Sequence, residues 1–305
     1  MKKTILALMI GFCLAAFYGC GPAVSKDMPT PIPFIYALQK VKAEDLARYR
    51  PQVVVVDPED SGIKPRKDLP NSSKFAYISI GEAEDYREYW QEVQGWNIVL
   101  NENPQWHGNF PVKYWDDRWQ ALTIQRIKAL AEQGWDGAYM DIVDAYQVEE
   151  VKAAYRGSTS PRAEMEAFVI KLSQAAKAVN PNFRMIPQNA LGLVLEEDGI
   201  HPNRDYLDAI DGIGTESLFY VDDAPSPYPY DVTLAMRAKK EGKFILATSY
   251  PTREDYREDF VNKATAEGFW TFIGRRALDG TFRHIKANHT IHQKMKAAGH
   301  ALKQP

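Results

Sequence analysis

Five carboxylates in this 305-residue chain stand where an apolar run ends. Asp57 follows Val53-Val54-Val55-Val56. Glu82 closes Phe75-Ala-Tyr-Ile-Ser-Ile-Gly. Asp141 closes Ala138-Tyr139-Met140, with Asp144 three residues on, and Glu216 closes Ala209-Ile-Asp-Gly-Ile-Gly-Thr. Paired carboxyl groups suit acid–base hydrolysis: one gives a proton to a leaving group while the other attacks or activates water. Purely structural duties compete with that reading. Asp141 would cap a following helix, and Glu216 would cap or pair with Arg275. Five acids brought together also repel one another unless a cation or a shared proton relieves them.

Other chemistries find less support in the residues. The six histidines are His107, His201, His284, His289, His292 and His300, and none falls where a strand ends. There is no His-x-His pair, so an all-oxygen Mg²⁺ or Ca²⁺ site is the remaining metal option. Gly-x-Ser-x-Gly is absent, as is a glycine-rich phosphate loop; Gly212-Ile-Gly214 lacks the third glycine. The expectation is paired carboxylates with no metal and no cofactor.

The positions of these acids imply the elements that carry them. Strand-like runs fall at 32–37, 53–57, 75–82, 138–141, 183–189, 209–216, 244–248 and 269–274. Helix-like runs separate many of them. Residues 117–133 carry Trp119, Leu122, Ile124, Ile127 and Leu130 at roughly helical spacing and close at Gly134. Ser160-Pro161 reads as N-cap and first helical residue, followed by one face of Met165, Phe168, Val169, Leu172, Ala176 and Val179. Residues 43–49 suit a short helix and 231–241 a longer one, and Thr252 is placed to cap another that runs to about Glu267. Eight strands alternating with helices over about 250 residues predict an α/β fold, a single-domain (β/α)8 TIM barrel spanning 32–305. The rival, an open doubly wound sheet, expects a glycine after its first strand, where Tyr36-Ala37-Leu38-Gln39 stands instead. In a barrel the residues leaving the strands converge on one mouth: Tyr36, Asp57, Ser79, Glu82, Asp141, Asp144, Gln188, Asn189, Glu216, Thr248, Tyr250 and Arg275. Two long connections, 82–116 and 190–208, would wall it. The first holds Trp90, Trp96, Trp106 and Trp115, which either pack against sugar faces or pin the loop.

The N-terminus is of another kind. Lys2-Lys3, an apolar run from Ile5 to Phe17 and then Tyr18-Gly19-Cys20 read as a signal peptide over residues 1–19, with Cys20 as the lipidated first residue of the exported protein. The proline-rich stretch 20–31 reads as a tether. Both cysteines, Cys13 and Cys20, lie in this region, so the body has no thiol for a disulfide or a metal. Loss of Lys2 and Lys3 takes the basic count from 37 to 35 against 40 acids, a net −5, which argues against nucleic acid as a partner. The expected location is the cell envelope, on the outer membrane where the source has two, since Gly21 replaces the aspartate that favours inner-membrane retention.

Three segments carry a family resemblance: Gly134-Trp-Asp-Gly-Ala-Tyr-Met-Asp141-Ile-Val-Asp144, Tyr77-Ile-Ser-Ile-Gly-Glu82-Ala-Glu84, and Ile213-Gly-Thr-Glu216-Ser-Leu-Phe-Tyr220. In this order they resemble glycoside hydrolase family 114, the endo-α-1,4-polygalactosaminidases and their relatives, over roughly residues 32–290. The resemblance implies a (β/α)8 barrel, cofactor-free cleavage of α-1,4-linked galactosamine polymers, and Asp141 and Glu216 as the catalytic acids. Asp141 would be the nucleophile and Glu216 the acid/base of a retaining reaction, for which carboxyl groups stand about 5–5.5 Å apart. The substrate contacts expected beside them are Tyr36, Asp57, Glu82, Asp144, Asn189, Tyr220 and Tyr250, with Asp57, Glu82 and Asp144 facing sugar ammonium groups. The alternatives are a non-catalytic carbohydrate-binding barrel lipoprotein, which Glu216 locked onto Arg275 would favour, and a glycosidase of another amino-sugar polymer.

Overall fold

The computed structural model describes residues 31–281 and 286–297. The stretch read as a signal peptide, Cys20 and most of the stretch read as a tether lie outside them, as do His284 and His300. Eight parallel strands line the core: β1 (Phe34–Tyr36), β2 (Val53–Val56), β3 (Ser73–Ser79), β4 (Gly137–Asp141), β5 (Arg184–Pro187), β6 (Gly212–Glu216), β7 (Phe244–Ser249) and β8 (Trp270–Ile273). Strands β1 to β5 pair in sequence order, and β6, β7 and β8 form a second arc. The arcs meet where Gln188 bridges Gly214 and the Asn189 N–H reaches the Gly214 carbonyl at 2.7 Å. At the other seam the Phe34 and Phe272 rings pack edge to face at 5.9 Å, and the Leu38 and Gln39 N–H groups share the Leu278 carbonyl. The result is the expected (β/α)8 barrel.

Each strand is apolar because both of its faces are covered. All four valines of β2 have no exposure. Rings from non-adjacent strands meet inside: Phe75 of β3 and Phe244 of β7 at 6.3 Å, Tyr36 of β1 and Tyr139 of β4 at 5.0 Å. The Tyr139 ring occupies the space that a side chain at residue 214 would need, so β6 must carry glycine there.

The helices that pack outside the strands include α1 (Ala43–Ala47), α2 (Asp117–Gln133), α3 (Pro161–Val179), α4 (Arg204–Ala209), α5 (Tyr230–Lys240), α6 (Glu254–Ala266) and α7 (Lys286–Ala297), and two short helices, Trp90–Val93 and Glu149–Ala154, lie in the connections after β3 and β4. In α2 the Asp116 carboxylate accepts from the Arg118 N–H at 3.0 Å, and Gly134 closes the helix at φ 91°, a left-handed conformation that glycine adopts without a Cβ clash. Ser160 caps α3 by accepting from the Ala163 N–H at 3.1 Å.

The connection from β2 to β3 has no helix, since Pro58, Gly62, Pro65 and Pro70 interrupt any helical hydrogen-bond ladder. Three readings of the sequence need correction. Thr252 caps nothing: its hydroxyl bonds the Asp223 carboxylate, and Arg253 is the residue before α6. Val179, last in α3, is exposed rather than part of the buried face. Strand β3 ends at Ser79, and Glu82 begins a two-stranded antiparallel ribbon, Glu82–Glu84 with Asn109–Pro111.

A Gly214→Ala change should lower stability by about 1–3 kcal/mol through overpacking against Tyr139. In urea denaturation, Gly214→Ala combined with Tyr139→Leu should be less destabilised than the sum of the two single changes. Simple additivity would show that the ring does not impose the glycine.

Candidate active site

Strands β4 and β6 each end on an acid, Asp141 and Glu216. Alternate strands of a barrel lean into the same layer of its interior, and both carboxyls line one cleft of about 780 Å³ at the mouth. The residue after each acid has left-handed backbone: Ile142 at φ 57° and Ser217 at φ 57°, with Asn189 at φ 56° beyond β5. Such a conformation is strained for a β-branched residue such as Ile142. It turns the chain sharply at the point where the side chain is delivered.

Each carboxyl is held by neutral donors. Asp141 accepts from the Tyr77 hydroxyl at 2.8 Å and from the Ile142 N–H at 2.8 Å. Glu216 accepts from the Gln188 amide at 2.5 Å and from the Tyr250 hydroxyl. Tyr36 donates to the Gln188 carbonyl oxygen at 3.0 Å, which orients that amide, and the Asn189 side-chain oxygen accepts from the Glu216 N–H at 3.0 Å. Burial pushes the phenols of Tyr36, Tyr77 and Tyr250 well up, so they stay protonated and donate.

Burial and then the Glu216 charge hold the Asp141 carboxyl well above its usual range. Glu216 is raised by burial, against the opposing pull of Tyr250, Arg276 and Gln188. Two half-buried carboxyls that repel each other titrate as a pair, the last proton leaving at a higher pH than a lone carboxyl would lose it, the more so the more strongly they interact. One proton on two carboxyls is the state in which one can donate while the other attacks.

The remaining expected contacts divide. Tyr36, Asn189, Tyr250, Asp144 and Asp57 line the cleft. Asp144 sits on a 3-10 turn, Val143–Gln147, with its carboxyl raised by burial and no side-chain partner among the described residues. Asp57 is already neutralised: Arg87 meets it at 2.8 Å and also holds Glu84 at 2.7 Å. Two residues are corrected. Glu82 does not line the cleft; it is 3% exposed beneath the long loop, where Asn103 donates to it at 2.8 Å. Tyr220 is turned outward onto α6, bonding Asp259 and Lys263 and packing on Tyr256. Its motif placed it near Glu216 in sequence, but the ribbon Tyr220–Val221 with Ala224–Pro225 carries it away.

Several site residues were not foreseen. Gln188 was placed at the mouth, but its bond to Glu216 depends on the β5–β6 seam. Tyr77 lies inside β3, and only the register that sets Ser79 beside Asp141 brings its hydroxyl into reach. Arg276, not Arg275, lines the cleft; Arg275 pairs with Asp279 at 3.1 Å. Glu216 therefore faces Gln188 and Tyr250 instead of being locked on Arg275. Of the four tryptophans, Trp90 stacks on Phe110, Trp96 lies under Arg118, and Trp115 packs on Tyr114 and Tyr155. These three pin the loop, while Trp106 is 44% exposed and lines the cleft.

A barrel that presents two coupled acids in an open, polar and aromatic cleft has the architecture of the glycoside hydrolases. The comparisons agree. Glycoside-hydrolase family GH114 matches residues 22–290, and the chain belongs to that family. An uncharacterized protein of Deinococcus radiodurans is 34% identical over 243 residues, 75% of this chain and 74% of its own. The uncharacterized protein MJ1477 of Methanocaldococcus jannaschii is 30% identical over 270 residues, 80% and 76% of the two chains. Aspergillus fumigatus Ega3, solved in complex with galactosamine, superposes with a TM-score of 0.66 at 14% identity, over 85% of this chain and 97% of that one. The glycoside hydrolase domain of PelA from Pseudomonas aeruginosa superposes with 0.59 at 19% identity, over 82% and 96%. At these identities the two superpositions speak for the fold.

Glu82 provides a pH test. Burial raises its carboxyl from 4.5 to about 7, against the Asn103 bond. The native state therefore holds a proton between those pH values that the unfolded chain does not. This stabilisation is complete below pH 4.5 and is lost as pH rises through about 7. Urea denaturation at about pH 5 and pH 8 should show wild type losing up to about 3 kcal/mol more than Glu82→Gln across that interval. Parallel pH profiles would contradict the assignment.

Proposed function

We propose that this glycoside hydrolase cleaves internal α-1,4 bonds of a galactosamine-containing polysaccharide by a retaining mechanism. The observation that carries the reading is the placement of Asp141 and Glu216 on alternate strands, in one cleft, each supported by a tyrosine hydroxyl. The galactosamine in the Ega3 complex supports the choice of sugar. In the first step Glu216 protonates the glycosidic oxygen as Asp141 attacks the anomeric carbon, giving a glycosyl ester on Asp141. In the second, Glu216 takes a proton from water, which displaces Asp141. Tyr77 and the Ile142 N–H stabilise the Asp141 carboxylate before attack and as it leaves. Asp144, a carboxylate beside the catalytic pair with no side-chain partner among the described residues, is the receptor for a sugar ammonium. Asp57, already paired with Arg87, anchors the loop.

Purified protein should release oligomers from partly de-N-acetylated α-1,4-galactosamine polymer, with the α anomer appearing first by NMR. Asp141→Asn and Glu216→Gln should each reduce turnover by at least about a thousandfold, as for loss of a group acting in the transition state. Near-wild-type activity in either variant would sink the catalytic assignment, and an initial β product would replace retention by inversion.

Tyr77→Phe removes a donor that favours ionised Asp141. The Asp141 carboxyl should rise further, and the acid limb of the kcat/KM profile should move to higher pH with kcat down by about tenfold. An unmoved acid limb would show that Tyr77 does not act on Asp141.

We further propose that the enzyme is exported and lipid-anchored through Cys20 at the cell envelope. Cys20→Ser should move it from the detergent phase to the aqueous phase in detergent partition. Unchanged partition would remove the anchor.

A further inference from the structure

A second cavity, of about 350 Å³, adjoins the cleft and is lined by Gln105, Trp106, Arg276 and Ala277. Its walls come from two elements far apart in sequence, the tip of the long loop and the segment after β8. Arg87, bonded to Asp57 at the end of β2, ties that loop to the barrel on this side.

Trp106 is the one tryptophan of the long loop with no ring or cation partner among the described residues. Its rings are thus available for packing against a sugar ring or an acyl methyl group. Arg276 is the cation here. It is ion-paired with Asp222, to which one N–H donates at 3.0 Å, its guanidinium lies 5.6 Å from the centre of the Tyr250 ring, and its other N–H groups have no hydrogen-bond partner among the described residues. Its charge also reaches Glu216.

Asp144 follows β4 and Arg276 follows β8, four strands apart in a ring of eight. They therefore belong to opposite sides of the mouth, with Asp141 and Glu216 also lining the space. The cleft carries an unpaired carboxylate on one side and an Asp222-paired guanidinium with free N–H donors on the other, with Lys40, Glu59 and Asp60 also in its lining. An ammonium group is attracted to the first and repelled from the second. An N-acyl group reverses this preference, because its carbonyl oxygen accepts from guanidinium N–H groups and its methyl packs on an indole.

Resting on the glycosidase reading above, we propose that Trp106, Gln105 and Arg276 form a subsite for a neutral, N-acylated sugar. The enzyme then selects bonds flanked by one acylated and one free amino sugar, and reads the acetylation pattern of its polymer.

The test uses three α-1,4-galactosamine polymers that are unacetylated, partly N-acetylated and fully N-acetylated. Product ends are sequenced by tandem mass spectrometry. Wild type should show its highest kcat/KM on the partly acetylated polymer, with an acetyl group at one fixed position relative to the cut. Trp106→Ala should raise KM on that polymer by about five- to tenfold, the loss expected for one aromatic contact, and should raise KM on unacetylated polymer by clearly less. Trp106→Phe should keep most of the preference. Arg276→Gln should shift the kcat/KM ratio toward unacetylated polymer by about tenfold; the ratio cancels any general effect through Glu216. Acetyl groups scattered about the cut, or equal effects of Trp106→Ala on both polymers, would overturn the subsite while leaving the glycosidase reading in place. Three intact polymers would overturn both.

Discussion

The structure depends on keeping two half-buried, mutually repelling carboxyls at the end of a closed sheet. Left alone they would repel and draw water or cations between them. Neutral donors answer that repulsion on both sides, Tyr77 and the Ile142 N–H for Asp141, Tyr250 and Gln188 for Glu216. Burial keeps the phenols protonated and raises both carboxyls above their usual range. The barrel serves this arrangement: aromatic rings fill its interior below, and left-handed residues at 142, 189 and 217 turn the chain away directly after the side chains are delivered. Each such residue costs of order 1–3 kcal/mol, which the core beneath must offset.

Charge is treated differently around the cleft. Asp57, which looked like a free anion in a strand-end position, is consumed by Arg87 in a nearly dry network with Glu84. That network ties the long loop to the end of β2. Glu82 is buried as a carboxyl near neutrality and faces Asn103 rather than the cleft. Asp144 is left without a side-chain partner among the described residues on one side, and Arg276, paired with Asp222, stands on the other. An acidic composition at the mouth has thus become a polarised groove, with tryptophans divided between three that pin the loop and one that faces the opening.

The eight-strand rhythm, the caps at Ser160 and Gly134, and the delivery of Asp141 and Glu216 by β4 and β6 were all legible in the sequence. Those features are local: they follow from hydrophobic period, backbone conformation and cap chemistry within a few residues. Thr252 and Tyr220 were misread because their partners, Asp223 and the residues of α6, lie about thirty or more positions away. Glu82 was misread by a shift of only three residues in where β3 ends, enough to move it from the mouth into a ribbon.

By itself the sequence determined the class of fold, the two acids that end β4 and β6, and the family motifs around them, because each is written in a short contiguous segment. Tertiary structure alone decided what those acids experience. Register brought Tyr77 to Asp141, the seam between β5 and β6 brought Gln188 to Glu216, and loop packing chose Arg276 over Arg275 and Trp106 over three other tryptophans. These are contacts between residues distant in the chain, set by strand register and barrel closure, and a change of one residue in register would remake them all.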